Sequence, residues 1–87
     1  MDLTDAFGPA VRHHRKLLRL SQEELAFRSE IDRTYISGVE RGARNPTLEV
    51  MQRIADGVGV DLAVLFCTAR EIKTAAATAK TKAKPKR

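Results

Sequence analysis

The side chains best suited to specific recognition lie between Asp32 and Arg41. Ile36 and Val39 are three residues apart, which is the spacing of the buried face of a helix. Thr34, Ser37, Gly38 and Arg41 therefore point away from a core, and Arg33 and Tyr35 flank that outward face. A guanidinium such as that of Arg33 can donate two parallel hydrogen bonds to guanine O6 and N7. The segment therefore predicts a base-reading surface, although a solvated polar helix face would have the same composition. Its members are Arg33, Thr34, Tyr35, Ser37, Gly38 and Arg41.

Two short helices joined at a tight corner are needed to position this surface. Leu25 and Ala26 face inward from the first helix, and Ile31 fills the corner before the second. The small Ala26 allows the second helix to cross closely over the first. Two helices in this arrangement form a helix-turn-helix, whose second helix enters the DNA major groove with its N-terminal end. The sequence therefore predicts a DNA-binding protein.

The segment from Gln22 to Arg41 resembles the helix-turn-helix of the Cro and lambda-repressor-like family, also called the XRE family. The resemblance covers residues 7–66 and includes two further motifs, Arg44-Asn45-Pro46-Thr47-Leu48 and Gly59-Val60-Asp61-Leu62 followed by Leu65-Phe66. Within the family, the second helix looks most like that of controller proteins of restriction–modification systems. The resemblance implies an all-α domain of five helices that regulates transcription by binding palindromic operators as a homodimer.

Contacts to DNA phosphates are expected from outside the base-reading face. Gln22 lies at a helix N-terminus, where free amides and the positive dipole end attract anions, and the family uses this position to bind the DNA backbone. Arg44 and Asn45, in the loop after the second helix, are similarly placed, and Arg41 can join them. Asn45 has an alternative interpretation, because Asn before Pro46 also favours an ordinary turn.

Three positions of the base-reading face have individual roles. Thr34 can bond a base or a phosphate and touch a thymine methyl group. The resemblance implies that Tyr35 packs on the DNA backbone or on a deformable base step. Gly38 costs the helix about 1 kcal/mol relative to alanine, which we interpret as room for close approach of the DNA backbone.

Other residues are interpreted as structural. The family pairs the position of Glu40 with an arginine of the first helix that matches Arg15. The chain departs from the family at Glu30 and Arg19, where glycines are usual, and a left-handed Glu30 would cost on the order of 1 kcal/mol. His14 replaces a usual leucine of the first helix. Although His13 is its neighbour, adjacent helical residues diverge, so we predict a structural histidine and no metal site.

Composition limits the class of protein. Eighty-seven residues suffice for one small domain, and the single cysteine, Cys67, excludes an intramolecular disulfide framework. The sequence contains no apolar run of membrane-spanning length and no signal-peptide pattern, so a soluble, cytoplasmic protein is expected. Paired carboxylates, an activated nucleophile and a glycine-rich phosphate loop are also lacking, so neither an enzyme nor a cofactor-binding protein is expected.

Five helices and a tail are predicted along the chain, divided into a DNA-binding domain, residues 1–68, and a flexible Ala/Lys-rich tail, residues 69–87. A first helix is marked by a stripe at helical spacing, Phe7, Val11, His14 and Leu18. It should begin near Phe7, because Pro9 is tolerated only in a first turn. N-caps are predicted at Ser21, with Glu24 completing a capping box, and at Asp32, with side-chain bonds to later amides. The fourth helix begins at Pro46-Thr47 and ends at Gly59, and one side of it carries a stripe of core-facing residues. A short fifth helix spans residues 62–66. The predicted stripe of the fourth helix is Leu48, Met51, Ile54, Ala55 and Val58.

Assembly is predicted through the fourth and fifth helices. Val60, Val64 and Phe66, together with Leu62 and Leu65, offer more apolar surface than a small core needs. For Leu62 and Leu65, closure of the monomer core is the preferred interpretation.

Two alternatives to a homodimeric regulator remain open. The chain could be an antitoxin-type helix-turn-helix protein that binds a toxin, or an architectural DNA binder that depends on its basic tail. Residues 68–87 contain seven Lys/Arg and only Glu71, whereas residues 1–67 contain nine Lys/Arg and ten Asp/Glu. The lysines either supply long-range attraction to DNA or are simply solvated.

Overall fold

The computed structural model describes the backbone of residues 2–83 and the side chains of residues 2–76. Within that part the chain forms five helices and no strand: α1 Leu3–Leu17, α2 Gln22–Ser29, α3 Arg33–Glu40, α4 Leu48–Val58 and α5 Leu62–Ala83. The predicted all-α, five-helix class is therefore confirmed. No helix of the described part is both long enough and apolar enough to cross a membrane.

The start of α1 was predicted too late. The helix begins at Leu3 rather than near Phe7, because Asp2 is an N-cap whose carboxylate accepts the Leu3 amide, and Asp5 completes a capping box. Pro9 consequently lies inside the helix rather than in its first turn. Because its ring nitrogen carries no hydrogen, the carbonyl of Asp5 lacks the bond that it would otherwise accept within the helix. Asp5 is exposed, so water can bond to this carbonyl instead.

The N-caps of α2 and α3 differ. Ser21 and Glu24 form the predicted capping box, with the Ser21 amide donating to the Glu24 carboxylate at 2.7 Å. This backbone bond, together with the Ser21 hydroxyl, lowers the pKa of Glu24. Asp32 is the N-cap of α3, but its side chain makes no capping bond, contrary to the prediction. Its backbone carbonyl instead accepts the amides of Tyr35 and Ile36 at 3.0 and 3.1 Å.

Two non-glycine residues adopt the left-handed conformation at corners of the chain. Arg19 has φ 58° before α2, and Glu30 has φ 56° at the C-cap of α2. These are the two positions at which the family usually has glycine, so the backbone geometry of the family is kept without its preferred residue. Each position carries a steric cost on the order of 1 kcal/mol, because Cβ approaches the following carbonyl.

The core is built where all five helices meet, and α1 lies at its centre. The first three helices bury large apolar side chains there: Phe7 and Val11 of α1, Leu25 of α2 and Ile36 of α3. The contributions of α4 and α5 are Ile54, Ala55, Val58, Leu65 and Ala69.

Two leucines placed in core stripes by periodicity lie outside this core. Leu48 is 68% exposed and Leu18 is 48% exposed. Both lie at a helix terminus: Leu48 is the first residue of α4, and Leu18 is the C-cap of α1. The face of a helix that is buried by neighbouring helices along its middle turns is uncovered at the helix ends.

α1 packs closely against the backbone of α3 at Gly8. This glycine is buried, and a Cβ at its position would collide with the backbone carbonyl oxygens of Val39 and Glu40. Glycine in a helix interior is unfavourable by roughly 0.5–1 kcal/mol relative to alanine. Here it allows α1 to lie directly against the C-terminal end of α3, which fixes the orientation of that helix.

The predicted end of the fifth helix was wrong. Instead of stopping at Phe66, α5 continues to Ala83. Leu65, Ala69 and Ile72 recur at i, i+4 and i+7 and continue the core-facing stripe, with Ala69 fully buried and Ile72 packed against the core. The predicted domain boundary between residues 68 and 69 therefore lies inside a packed helix. The flexible tail was also predicted for residues 84–87, which lie outside the described residues.

His14 links α1 to α5, as expected of a structural histidine. Its Nε2 lies 2.7 Å from the hydroxyl oxygen of Thr68. Partial burial, with a smaller contribution from the positive charge of His13, lowers the pKa of His14. The two imidazoles touch edge to face, with ring centroids 5.2 Å apart.

Candidate nucleic-acid interface

The base-reading surface predicted from the sequence lies on α3, which is anchored on its opposite side. Ile36 and Val39 are buried against Leu25 and Ala26 of α2 and against α1. The corner between α2 and α3 is closed by the amide of Ile31, which donates to the carbonyl of Ala26 at 3.0 Å. Since one face of α3 is fixed in the core, the direction of its other face is determined by the fold.

The outward face is most accessible at the N-terminal end of α3. Arg33 and Thr34 are exposed in the first turn, while Tyr35 and Ser37 are half-buried. The guanidinium of Arg33 and the hydroxyl of Thr34 therefore face solvent at the start of the helix and are not packed in the core. This is the end of the second helix that enters the groove in helix-turn-helix proteins.

Gly38 is not open to solvent, which differs from its predicted position on the free face. It is buried, and a Cβ there would come within 2.6 Å of Cγ of Arg44. The carbonyl of Gly38 also accepts the amides of Ala43 and Arg44, at 2.8 and 3.2 Å. The missing side chain of Gly38 thus gives room to the loop after α3 and to the aliphatic part of Arg44.

Arg44 is held in place from a second direction. Its guanidinium carbon lies 5.3 Å from the centroid of the Tyr35 ring, in a cation–π arrangement. Gly38 and Tyr35 together therefore orient an exposed cation beside the N-terminal end of α3. Sequence reasoning named all three residues but did not foresee that they act on one another. Helix periodicity places Gly38 and Tyr35 on α3 but does not locate the loop side chain that crosses them.

Arg41 and Ser37 are also coupled. The Nη1 of Arg41 donates to the hydroxyl oxygen of Ser37 at 2.8 Å, across one turn of α3. Both were predicted to face DNA, and both lie on the same side of the helix near its C-terminal end. The guanidinium of Arg41 has further N–H groups that remain available to a phosphate.

A buried ion pair ties α1 to α3. The carboxylate of Glu40 accepts hydrogen bonds from Nε and Nη2 of Arg15, at 2.6 and 2.9 Å. The two side chains are 10% and 4% exposed, respectively, and the bond to Glu40 raises the pKa of Arg15. Arg15 also donates through Nη1 to the carbonyl of Leu20, at 2.8 Å, which fixes the loop before α2.

The same carboxylate positions Gln22, a contact that sequence reasoning missed. The amide nitrogen of Gln22 donates to Oε1 of Glu40 at 3.1 Å. A side-chain amide carries two N–H donors, so one remains for another acceptor after this bond. Gln22 was predicted to bind a phosphate from the N-terminus of α2, and Glu40 fixes its amide at that position. The predicted pair of Glu40 and Arg15 could have indicated this contact, because a carboxylate held between helices can also accept a bond from the start of α2.

The last predicted phosphate contact, Asn45, is exposed in the loop between α3 and α4. Gln22 is bonded to Glu40 at the C-terminal end of α3, and Arg44 packs on Tyr35 and Gly38 of the same helix. The arrangement can present hydrogen-bond donors to an anionic backbone on either side of a helix that presents Arg33 and Thr34. For Asn45 the interpretation as a turn residue remains equally consistent with its position.

Comparison with known proteins agrees with this geometry. The helix-turn-helix family model matches residues 11–65. The control protein C.BamHI of Bacillus amyloliquefaciens is 46% identical over 55 residues, which are 62% of this chain and 68% of that protein.

Solved structures extend the comparison. The restriction–modification controller protein C.Esp1396I, as a tetramer in complex with its natural 35-base-pair operator, is 34% identical, with a TM-score of 0.76 over 82% of this chain and 93% of that one. The clp gene regulator ClgR from Corynebacterium glutamicum is 25% identical, with a TM-score of 0.90 over 95% of this chain and 88% of that one. With the family match spanning more than half of its length, the chain belongs to the helix-turn-helix family and is similar to the controller proteins of restriction–modification systems.

Proposed function

We propose that this chain is a sequence-specific regulator of transcription that binds duplex DNA as a homodimer, with α3 in the major groove. The observation that carries the proposal is the exposed pair Arg33 and Thr34 at the free end of a helix whose opposite face is buried. A base-reading helix has to be held rigidly, since each good bidentate contact discriminates by only about 1–3 kcal/mol. The bonds from Glu40 to α1 and α2 supply that rigidity.

The proposed contacts divide into two classes. Base readout falls to Arg33, with Thr34 and Tyr35 beside it. Backbone contacts fix the register of the protein on the duplex without carrying sequence information. The residues proposed for backbone contact are Gln22, Ser37, Arg41, Arg44 and Asn45, and Gly38 contributes by giving room to Arg44.

The homodimer is proposed because a single recognition helix contacts few base pairs, and family members reach specificity by pairing two half-sites. C.Esp1396I, a relative at 34% identity, has been solved as a tetramer on its operator. Of the predicted interface residues, Val64 is 40% exposed on α5, while Val60 and Phe66 are half-buried. Phe66 stacks on Phe7 with ring centroids 5.9 Å apart, so it contributes to the monomer core as well.

Selection of duplexes from a random pool tests the proposed function. The expected result is a palindromic motif with half-sites about one helical turn apart. Arg44→Ala should weaken binding to all sequences about equally and leave the motif unchanged, because its proposed contact is to phosphate. Selection that enriches no motif would contradict the proposal. A regulator of this kind acts on the cell's own DNA, so we place it in the cytoplasm.

The oligomeric state provides a separate test of the homodimer. Val64→Asp should convert a dimer into a monomer and abolish tight operator binding, because a carboxylate cannot be buried at an apolar seam without a partner. Thr74→Asp, which adds the same charge at an exposed position farther along α5, serves as the control. Sedimentation at high micromolar concentration measures the change. A strictly monomeric wild-type protein that still binds one palindrome tightly would contradict the dimer.

One surface feature favours the antitoxin-type alternative. Phe27 on α2 is 86% exposed and lies beside a shallow groove lined by Leu20, Glu23, Glu24 and Arg28. Phenylalanine is enriched at the centres of protein–protein interfaces relative to the rest of the protein surface. If the chain neutralises a toxin through this groove, Phe27→Ser should abolish protection against that toxin while the selected DNA motif stays the same. Full protection by Phe27→Ser would exclude the groove.

A further inference from the structure

The charge of this protein is concentrated on α5 and the residues that follow it. Residues 70–87 contain seven Lys/Arg and one acidic residue, Glu71, whereas residues 1–69 contain nine Lys/Arg and ten Asp/Glu. The domain that carries the helix-turn-helix therefore has little net charge of its own. Attraction to a polyanion over a long range has to come from the C-terminal part of the chain.

The structure places four of these cations, Arg70, Lys73, Lys80 and Lys82, on a helix. α5 has 22 residues, which corresponds to a length of about 33 Å at 1.5 Å per residue. Leu65, Ala69 and Ile72 attach its first half to the core. The molecule measures 49 × 22 × 22 Å, and a helix of this length accounts for the long dimension.

Several of the cations share one face of α5. Arg70, Lys73 and Lys80 are separated by three and seven residues, which places them within one-quarter of a turn of each other around the helix axis. Arg70 and Lys73 are exposed. We call this face, defined by Arg70, Lys73 and Lys80, the cationic face of α5. Arg70 and Lys73 lie beside the stripe of Leu65 and Ile72 that packs on the core, so packing of the helix leaves these two side chains accessible.

The cationic face does not belong to the helix-turn-helix surface. α5 packs mainly on α1 and α4, whereas α3 packs on α1 and α2. α1 therefore lies between α5 and the recognition helix of the same chain. Cations on α5 are in a position to meet phosphates other than those beside the bases that α3 reads.

We propose that the cationic face of α5 is a second DNA-binding element, which contacts the phosphate backbone of duplex DNA outside the base pairs contacted by α3 of the same chain. The proposal rests on the proposed function. The ligand chemistry is that of a row of phosphodiesters, which lysine ammonium groups bind as point charges without reading sequence.

The salt dependence of binding measures the contribution of this face. In the full-length chain, Lys73→Gln/Lys80→Gln removes two cations from the cationic face. Each phosphate contact adds about 0.9 to the steepness of log K against log salt for duplex DNA. The double variant should therefore flatten the slope by about 1.8 per protomer on a duplex of unrelated sequence, and by the same amount on the selected operator. The selected base motif should not change.

A matched control separates a local contact from net charge. Arg12→Gln/Lys16→Gln removes two exposed cations from α1 and changes the net charge of the chain equally. It should leave the slope within about 0.5 of the wild-type value. An unchanged slope in Lys73→Gln/Lys80→Gln, or equal flattening in both double variants, would overturn the proposal.

The outcome is distinguishable from failure of the proposed function. A wild-type protein that binds its selected duplex no better than a scrambled one would refute sequence-specific recognition. The slope on unrelated DNA would still decide whether the cationic face contacts phosphates.

Discussion

Removal of Arg15 should destabilise the fold far more than removal of Arg15 and Glu40 together. In Arg15→Met, the carboxylate of Glu40 loses bonds of 2.6 and 2.9 Å and keeps only the 3.1 Å bond from Gln22. Its side chain is 4% exposed, so water cannot replace the guanidinium. Loss of one partner of a buried ion pair typically costs 3–5 kcal/mol, so we expect roughly that loss of stability.

The double variant Arg15→Met/Glu40→Leu separates the cost of an unpaired buried carboxylate from the cost of losing the ion pair itself. Replacing both members by apolar side chains of similar volume is often neutral, because no unpaired charge stays buried. The carbonyl of Leu20 loses its bond to Arg15 in both variants, so this loss does not contribute to the difference between them. We therefore expect the double variant to be about 3–5 kcal/mol more stable than Arg15→Met.

Urea unfolding at one fixed protein concentration measures these differences, because coupled association would otherwise shift the apparent stability. An 87-residue domain has a total stability of roughly 4–13 kcal/mol, so Arg15→Met should lie at the edge of folding. A loss below about 1 kcal/mol in Arg15→Met would refute the reasoning. A double variant as unstable as Arg15→Met would refute it as well, since the unpaired carboxylate would then not be the cause.

Three further predictions follow from the geometry. Gly38→Ala should displace Arg44, whose Cγ lies 2.6 Å from the new Cβ, and a DNA titration should show weaker binding to all sequences. The unfolding free energy should change little, because the helix preference of alanine offsets the clash. Unchanged affinity would show that the position of Arg44 does not matter. Glu30→Gly should stabilise the fold by about 1 kcal/mol in urea unfolding, because φ 56° is strained for glutamate, and a loss of stability would contradict a left-handed residue there. His14 has a lowered pKa in the folded state, so the unfolded chain binds the proton more readily and stability should fall as the pH drops below about 6.5 through the lowered value. His14→Gln, which keeps a partner for Thr68, should reduce that part of the pH dependence, and an identical pH profile would contradict the assignment.

The helix-turn-helix was predictable because its residues have strong and regular periodicity. Leu25, Ala26, Ile36 and Val39 lie at helical spacing in two short segments, and all four are buried. The pair of Arg15 and Glu40 was predictable only through family resemblance, since nothing in the spacing of two residues in different helices indicates a contact.

The parts that sequence reasoning missed have different physical causes. The core stripe of α5 continues through Ala69, whose small side chain gives a weak hydrophobic signal in a segment rich in alanine and lysine. Leu48 has the right residue type and spacing for the core but lies at a helix end that no other element covers. Gly38 was placed on the outward face by its angle around α3, and the side chain of Arg44 that occupies its space comes from a loop. Loop conformation is set by tertiary contacts, which periodicity does not encode.

The central claim is that α3 reads bases through Arg33. Repeating the selection of duplexes with Arg33→Ala tests it most directly, since Arg33 is exposed and its removal leaves the core intact. Relative to the wild type, the variant should lose the preference for one guanine in each half-site and bind the wild-type motif more weakly by roughly 1–3 kcal/mol per half-site. Lys16→Ala, the loss of an exposed cation on α1, should select the wild-type motif. If Arg33→Ala also selects the wild-type motif unchanged, α3 does not read bases in the way proposed.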